Sequence, residues 1–168
     1  MAKLGDKTDF SYRVKRVTKV VDGDTIDVIL DMGFNILFAQ RVRLFGIDTP
    51  ESRTRDLVEK KYGLKAKKFL QDKLKKAKSI TIRTHKGEEK GKFGRILGDF
   101  SCYHAQTDSW RMATEILIEE GHAVPYMGGS KDDTQAAHEV NRKRLLEEGV
   151  VAQADYDKQV EYMAKKNS

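Results

Sequence analysis

Residues 10–44 hold three short segments of alternating character before anything helical appears. That order constrains the fold more than any other feature of the chain. Phe10, Tyr12, Val14 and Val17 alternate with lysines and arginines, Asp22-Gly23-Asp24-Thr25 interrupts, and Ile26, Val28 and Leu30 resume with period two. Side chains in a strand point alternately to its two faces, so this pattern reads as half-buried strands. An Asp-Gly pair between two such runs is a strong hairpin signal. Residues 31–33 mark a second turn. Residues 34–44 form a third strand, with Ile36 and Phe38 early and Val42 and Leu44 set against Arg41 and Arg43 at its end.

Farther along, residues 52–63 are rich in Arg and Lys and read as an exposed, mobile basic loop. Residues 64–78 switch to helical spacing, with Ala66, Phe69, Leu70, Leu74 and Ala77 on one face. Ile80 and Ile82 make a fourth strand, residues 85–92 a polar turn, and residues 93–103 a fifth strand interrupted by Gly94 and Gly98. Asp108 or Ser109 caps a second helix with Met112, Ala113, Ile116 and Leu117 as its buried stripe, and Gly121 stops it. After a loop at 123–130, Thr134 caps a third helix that runs to Glu148 with Ala137, Val140 and Leu145 inward; residues 155–163 add a short helix. Three strands, a helix, two strands and two helices fit an α+β fold: a five-stranded OB-type Greek-key β-barrel with three packed α-helices. An open two-layer α+β sheet is the alternative. The expected organisation is a flexible N-terminus at 1–9, one barrel domain at 10–149, and a helical or flexible tail at 150–168.

A chain of 168 residues has room for one domain with a real core. Its formal net charge of +6 favours an anionic partner, nucleic acid before an acidic membrane surface; the plain alternative is solubility. The single cysteine, Cys102, excludes an intrachain disulfide. No apolar run has the length of a leader or a membrane span, so the expected setting is cytoplasmic, or secreted if a leader was removed, with no membrane partner. The oligomeric state is open, with a monomer favoured.

Charged groups concentrate at two turns. Asp24 follows the first hairpin turn, and Asp48 ends the third strand within Asp48-Thr49-Pro50-Glu51. At one barrel rim, two carboxylates, the Thr49 backbone carbonyl and water would form an all-oxygen cage for a hard cation such as Ca²⁺. No cysteine cluster points to a soft metal, and His85, His104, His122 and His138 are too scattered to argue ligation. Phosphodiester hydrolysis would use such groups: a cation to neutralise a phosphate oxygen, Glu51 to accept a proton from water, and Arg43 and Arg95 to clamp the phosphoryl group. With an odd offset between Arg43 and Asp48, strand periodicity does not guarantee that they share a face; a kink at Gly46 could bring them together. Plainer readings stand beside these. The Asp22–Thr25 segment is a turn on composition alone, Thr49-Pro50 can start a helix, and Arg95 can be a surface ion-pair residue. Tyr126 can stack on a base or fill a core; Arg53, Arg55, Lys60 and Lys61 would hold substrate outside the reaction centre.

Four segments together closely resemble the thermonuclease, or staphylococcal-nuclease-like, family: Val21-Asp22-Gly23-Asp24-Thr25, residues 43–51, residues 59–63 with the following helix, and Lys92-Phe93-Gly94-Arg95. The likeness runs from about Tyr12 to Gly149. It implies Asp24 and Asp48 as Ca²⁺ carboxylates, Thr49 as a carbonyl ligand, Asp22 as a nearby acidic group tuning the site, and Arg43 and Arg95 as phosphate-binding arginines. Glu51 takes the place of the general base, and Tyr126 that of a tyrosine lining the nucleotide pocket. Such enzymes hydrolyse DNA and RNA with little sequence preference and leave 3′-phosphates. The chain departs from the secreted members at Gly91, where they carry an aspartate, and across residues 31–40. Its loop at 123–130 is rich in glycine, and Trp110 is its sole tryptophan, lying upstream of the family's position. Two other functions compete: a non-catalytic oligonucleotide-binding domain, and a scaffold module in a phage or mobile-element complex.

Overall fold

The Asp-Gly turn does form a hairpin. In the computed structural model, which describes residues 10–84 and 94–167 and the backbone of 90–91, β1 (Ser11–Asp22) pairs antiparallel with β2 (Thr25–Asp31), and Asp22 lies opposite Thr25. Three register shifts along this ladder, between Val14 and Arg16, Val17 and Lys19, and Val20 and Asp22, are bulges that coil β1. Strand β3 (Leu37–Leu44) continues the meander. It starts later than the sequence pattern predicts because Phe34 and Asn35 adopt positive φ in the connecting turn.

Two further strands close the sheet. Strand β4 (Ile47–Asp48) is short and leaves the barrel to pair elsewhere, while β5 (Ser79–Thr84) pairs with β1 at its start. Strand β6 (Lys90–Gly91) flanks β7 (Arg95–His104), and β7 lies antiparallel to β5. Its first residues also run parallel to β3, with Arg43 opposite Leu97. The order β3-β2-β1-β5-β7 and back to β3 is therefore a closed five-stranded mixed barrel of the OB type. Ile26, Val28, Leu30, Val42, Leu44, Ile82 and Phe100 fill it.

Helix α1 (Leu57–Lys76) begins well before the predicted Leu64. Asp56 caps it by accepting from the Val58 and Glu59 amides at 2.9 and 3.0 Å, so much of the expected basic loop is helix. Gly63 stands inside it, not at its edge. The second predicted helix is shorter than expected: Ser109–Met112 is strand β8, paired to β7, and Asp108, at φ 46°, is a turn residue rather than a cap. Helix α2 (Ala113–Glu119) follows, then β9 (Val124–Pro125), antiparallel to β4. Ser130, not Thr134, caps α3 (Lys131–Glu147). Val140, predicted to face the core, is exposed, whereas His138 and Leu145 are buried. A fourth helix, α4 (Gln153–Asn167), is longer than the expected short one. Val151, just before it, is fully buried with Tyr62 and Leu145 in a second small core. The expectations for residues 1–9, for the turn at 85–89 and for Lys92 and Phe93 lie outside the described residues. Among those described, no helix is long and apolar enough to cross a membrane.

Candidate functional site

The site is assembled from chain turns that meet at one barrel rim. Gly23 lets the first turn pack closely. A Cβ there would lie 3.0 Å from the Ala66 Cβ on α1 and 3.1 Å from the Thr49 Oγ1, so those neighbours would have to give by a few tenths of an ångström. Asp24 follows and is buried. Its Oδ1 accepts from Thr25 Oγ1 at 2.8 Å, and its Oδ2 from Thr49 Oγ1 at 3.0 Å. The short β4–β9 pairing sets Asp48 opposite Val124 and carries the chain into Thr49 and Glu51. This answers the odd offset between Arg43 and Asp48: the chain turns at Gly46, at φ 81°, and starts a new strand before Asp48.

Arg43 joins the two carboxylates. Its Nη2 lies 3.1 Å from Asp24 Oδ2 and 3.6 Å from Asp48 Oδ1. The same guanidinium donates to the Leu44 carbonyl at 2.8 Å and to the Ile47 carbonyl at 3.2 Å, which fixes its plane. Arg95 opens β7 two positions before Leu97, the residue opposite Arg43, so barrel closure brings both arginines to the same rim. Gly91 pairs with Arg95 across the β6–β7 hairpin.

Asp22, Asp24, Arg43, Asp48, Glu51 and Arg95 all line one cleft of about 400 Å³. Its charge balance is uneven. Burial raises the Asp24 carboxyl above the ordinary carboxylate range despite Arg43 and the two threonine hydroxyls beside it. Glu51 is raised too, first by partial burial and then by the carboxylates of Asp22, Asp24, Glu59 and Asp48. A group of acids that resist full ionisation is a setting that added positive charge would relieve. Oxygen donors suit a hard cation. Among the described residues, however, no three His, Cys, Asp or Glu side chains converge as a metal cluster, and Arg43 lies between the two nearest acids.

The other predicted residues divide. Tyr126 lines an adjoining, more apolar cleft of about 360 Å³ that also includes Arg43 and Arg95; its amide donates to the Gly46 carbonyl at 2.8 Å. Arg53 reaches the rim and pairs with Asp22 at 2.9 Å. Lys61 turns away and binds Asp155 of α4 at 2.6 Å. Lys60 is on helix α1, and Arg55 is exposed just before that helix.

Sequence reasoning missed two contacts. Ser52 Oγ donates to Asp22 Oδ1 in the buried turn after Glu51. His138 on α3 places Nε2 2.9 Å from Asp48 Oδ2; the carboxylate can only accept, so that nitrogen carries the proton. No local pattern marks His138, because its partner lies ninety residues away.

The chain matches the model of the staphylococcal nuclease homologue family over residues 41–145. It is 37% identical over 109 residues to an uncharacterized protein of Bacillus anthracis, an alignment covering 65% of this chain and 45% of that protein. It is 33% identical over 128 residues to an uncharacterized protein of Methanocaldococcus jannaschii, covering 67% of this chain and 58% of that one. The chain thus spans about half the length of the curated relatives it matches.

Proposed function

The chain belongs to the staphylococcal nuclease family, and on that premise we propose that it is a Ca²⁺-dependent phosphodiesterase that hydrolyses DNA, and RNA as well, with low sequence preference and leaves 3′-phosphate ends. The observation that carries this reading is the shared cleft of Asp24, Arg43, Asp48, Glu51 and Arg95. Asp24, Asp48 and the Thr49 carbonyl would hold the cation, with Asp22 tuning the site from behind. The cation would supply charge neutralisation at a phosphate oxygen and a lowered barrier to deprotonating water. The chain's own groups do the rest. Arg43 and Arg95 hold the phosphoryl group and offset the charge that grows on it in the transition state. Glu51 sits at the rim with a raised pKa, which suits a group that takes a proton from an attacking water. Tyr126 offers a stacking face in the adjoining cleft, and Arg53, Arg55, Lys60 and Lys61 are the proposed contacts beyond it, with support from Arg53, which lines the carboxylate cleft.

A fluorophore-labelled DNA strand incubated with Ca²⁺ or with a chelator tests this. The expected result is Ca²⁺-dependent cleavage to fragments whose 3′ ends must be dephosphorylated before a polymerase extends them. Equal, negligible cleavage in both conditions would overturn the reading. One observation favours a second reading, oligonucleotide binding without hydrolysis: Arg43 already pairs with Asp24 and lies 3.6 Å from Asp48, and no three-ligand cluster exists among the described residues. Strand binding with no cleavage in the same assay would select it.

A further inference from the structure

A second cleft, of about 480 Å³, lies on the barrel away from Asp24 and Asp48. Strands β1 and β5 pair only from Ser11 to Arg13 on the β1 side; beyond that point no β5 residue is paired to β1, and the last turns of α1 face the opening. Arg13, Lys15, Arg16, Lys19, Lys75 and Lys78 line it, and no acidic side chain does. All six are exposed. Arg41 holds the Asp27 carboxyl low and Lys19 adds to it, and the other five have no ion pair with a described residue. On an ordinary solvated surface, acids are interspersed with bases, as on α1 itself, where Lys68 meets Asp72. Five of the six cations have no counter-charge among the described residues and repel one another, and a bound polyanion removes that cost.

This groove is continuous with the candidate site. Thr18 belongs both to the groove and to a shallow cleft over β2 and β3, and Arg41 and Arg95 belong both to that cleft and to the carboxylate site. We propose that the groove between β1 and the end of α1 is a second binding surface for the same nucleic-acid strand, carrying the backbone away from the scissile phosphate. From Lys19 to Arg13 the strand covers about 20 Å by its rise per residue, which matches about six nucleotides at the rise of one duplex strand. The proposal takes its ligand class from the phosphodiesterase reading, but binding can be measured without cleavage.

The test uses the full chain in chelator and fluorescein-labelled oligothymidylates of about 4 and about 16 nucleotides, a length difference that exceeds the groove. The longer strand is expected to bind at least about 10-fold more tightly, through added phosphate contacts. Combining Lys15→Gln, Arg16→Gln, Lys75→Gln and Lys78→Gln should shrink that advantage and lower the salt slope by about 3, since each phosphate contact on a single strand contributes about 0.7. Neutralising four exposed lysines of α3 and α4 instead, Lys131, Lys143, Lys158 and Lys166, should change the slope by less than about 1. No length advantage, equal effects of the two quadruple variants, or tighter binding of poly-glutamate of matched charge would each overturn the groove. The two readings fail separately. Ca²⁺-dependent cleavage by the unmodified protein without a length advantage removes only the groove. A groove-dependent length advantage with no cleavage removes only the hydrolase.

Discussion

Gly63 offers a direct test of how the site is supported. It lies inside α1 directly beneath the turn that carries Glu51. A Cβ at this position would fall 2.5 Å from the Glu51 carbonyl carbon and 2.6 Å from the carbonyl oxygens of both Glu51 and Pro50. All three are backbone atoms, so no rotamer change relieves the contact. Ordinary contact begins near 3.4 Å, so either the turn or the helix must move by about 1 Å. Gly63→Ala should therefore do two things. Helix propensity alone would stabilise the protein by about 1 kcal/mol, but overpacking against a fixed backbone costs about 1–3 kcal/mol. The net change is expected to run from near zero to a loss of about 2 kcal/mol, a fall in Tm of up to about 8 °C for a chain of this size. Displacing Glu51 by about 1 Å should cost far more in turnover, about 10²-fold, because reacting groups lose alignment. The paired readouts are a thermal melt and the Ca²⁺-dependent cleavage rate. A variant whose Tm rises by the full propensity gain, with turnover intact, would refute the claim that α1 buttresses the turn.

Arg95→Ala should lower turnover by at least about 10²-fold, as expected for losing one transition-state donor, with little change in Tm; undiminished turnover would remove it from the proposed chemistry. His138→Ala should weaken Ca²⁺ binding, measured by calorimetry, by about 10–100-fold, the range for losing a group that orients a metal ligand. His138→Gln should restore most of that affinity, and a failure of both variants to change it would show that Asp48 needs no such support. A third effect needs no ligand. Burial raises Asp99 to about 6, although Thr114 and the Phe100 amide donate to it; the raised carboxyl contributes stability below its unfolded value of 3.8 that is lost as pH rises through 6. Burial lowers His122 to about 4, so its contribution has the opposite sign and is lost as pH falls from 6.5 through 4. Each is worth about 3 kcal/mol, and the two offset each other in the window between. Asp99→Asn should therefore gain on the unmodified protein by about 3 kcal/mol between pH 4 and pH 6; a constant difference between the two melting curves across that window would contradict the assignment.

The strands and turns were legible because their signals are local. The Asp22-Gly23 hairpin, the alternation in β2 and β3 and the acids after Gly46 are all patterns a few residues long. The start of helix α1 is not legible locally, because the lysines before Gly63 read as a loop and the glycine as its edge. In the fold, Asp56 caps the helix and Gly63 is small because Pro50 and Glu51 press on it. Asp108 was misread as a cap because aspartate serves equally well in a left-handed turn, and only the pairing of β8 with β7 decides between the two. Val140 fits the helical stripe yet faces solvent, because α3 turns His138 inward beside the expected Leu145. The candidate site was legible in its residue types but not in its contacts. Nothing local shows that Arg43 bridges Asp24 and Asp48, or that His138 reaches Asp48.

The parallel seam between β3 and β7 has a consequence for the order in which the molecule acquires its parts. A nascent chain that has emerged only as far as α1 already contains Asp24, Arg43, Asp48 and Glu51, but it lacks the strand that shuts the cylinder and brings Arg95 to the same rim. Contacts so distant in sequence must wait for loop closure. Arg95 thus joins the Asp24–Arg43–Asp48 group only when the cylinder shuts, and no N-terminal product of synthesis that stops short of β7 holds both arginines of the site.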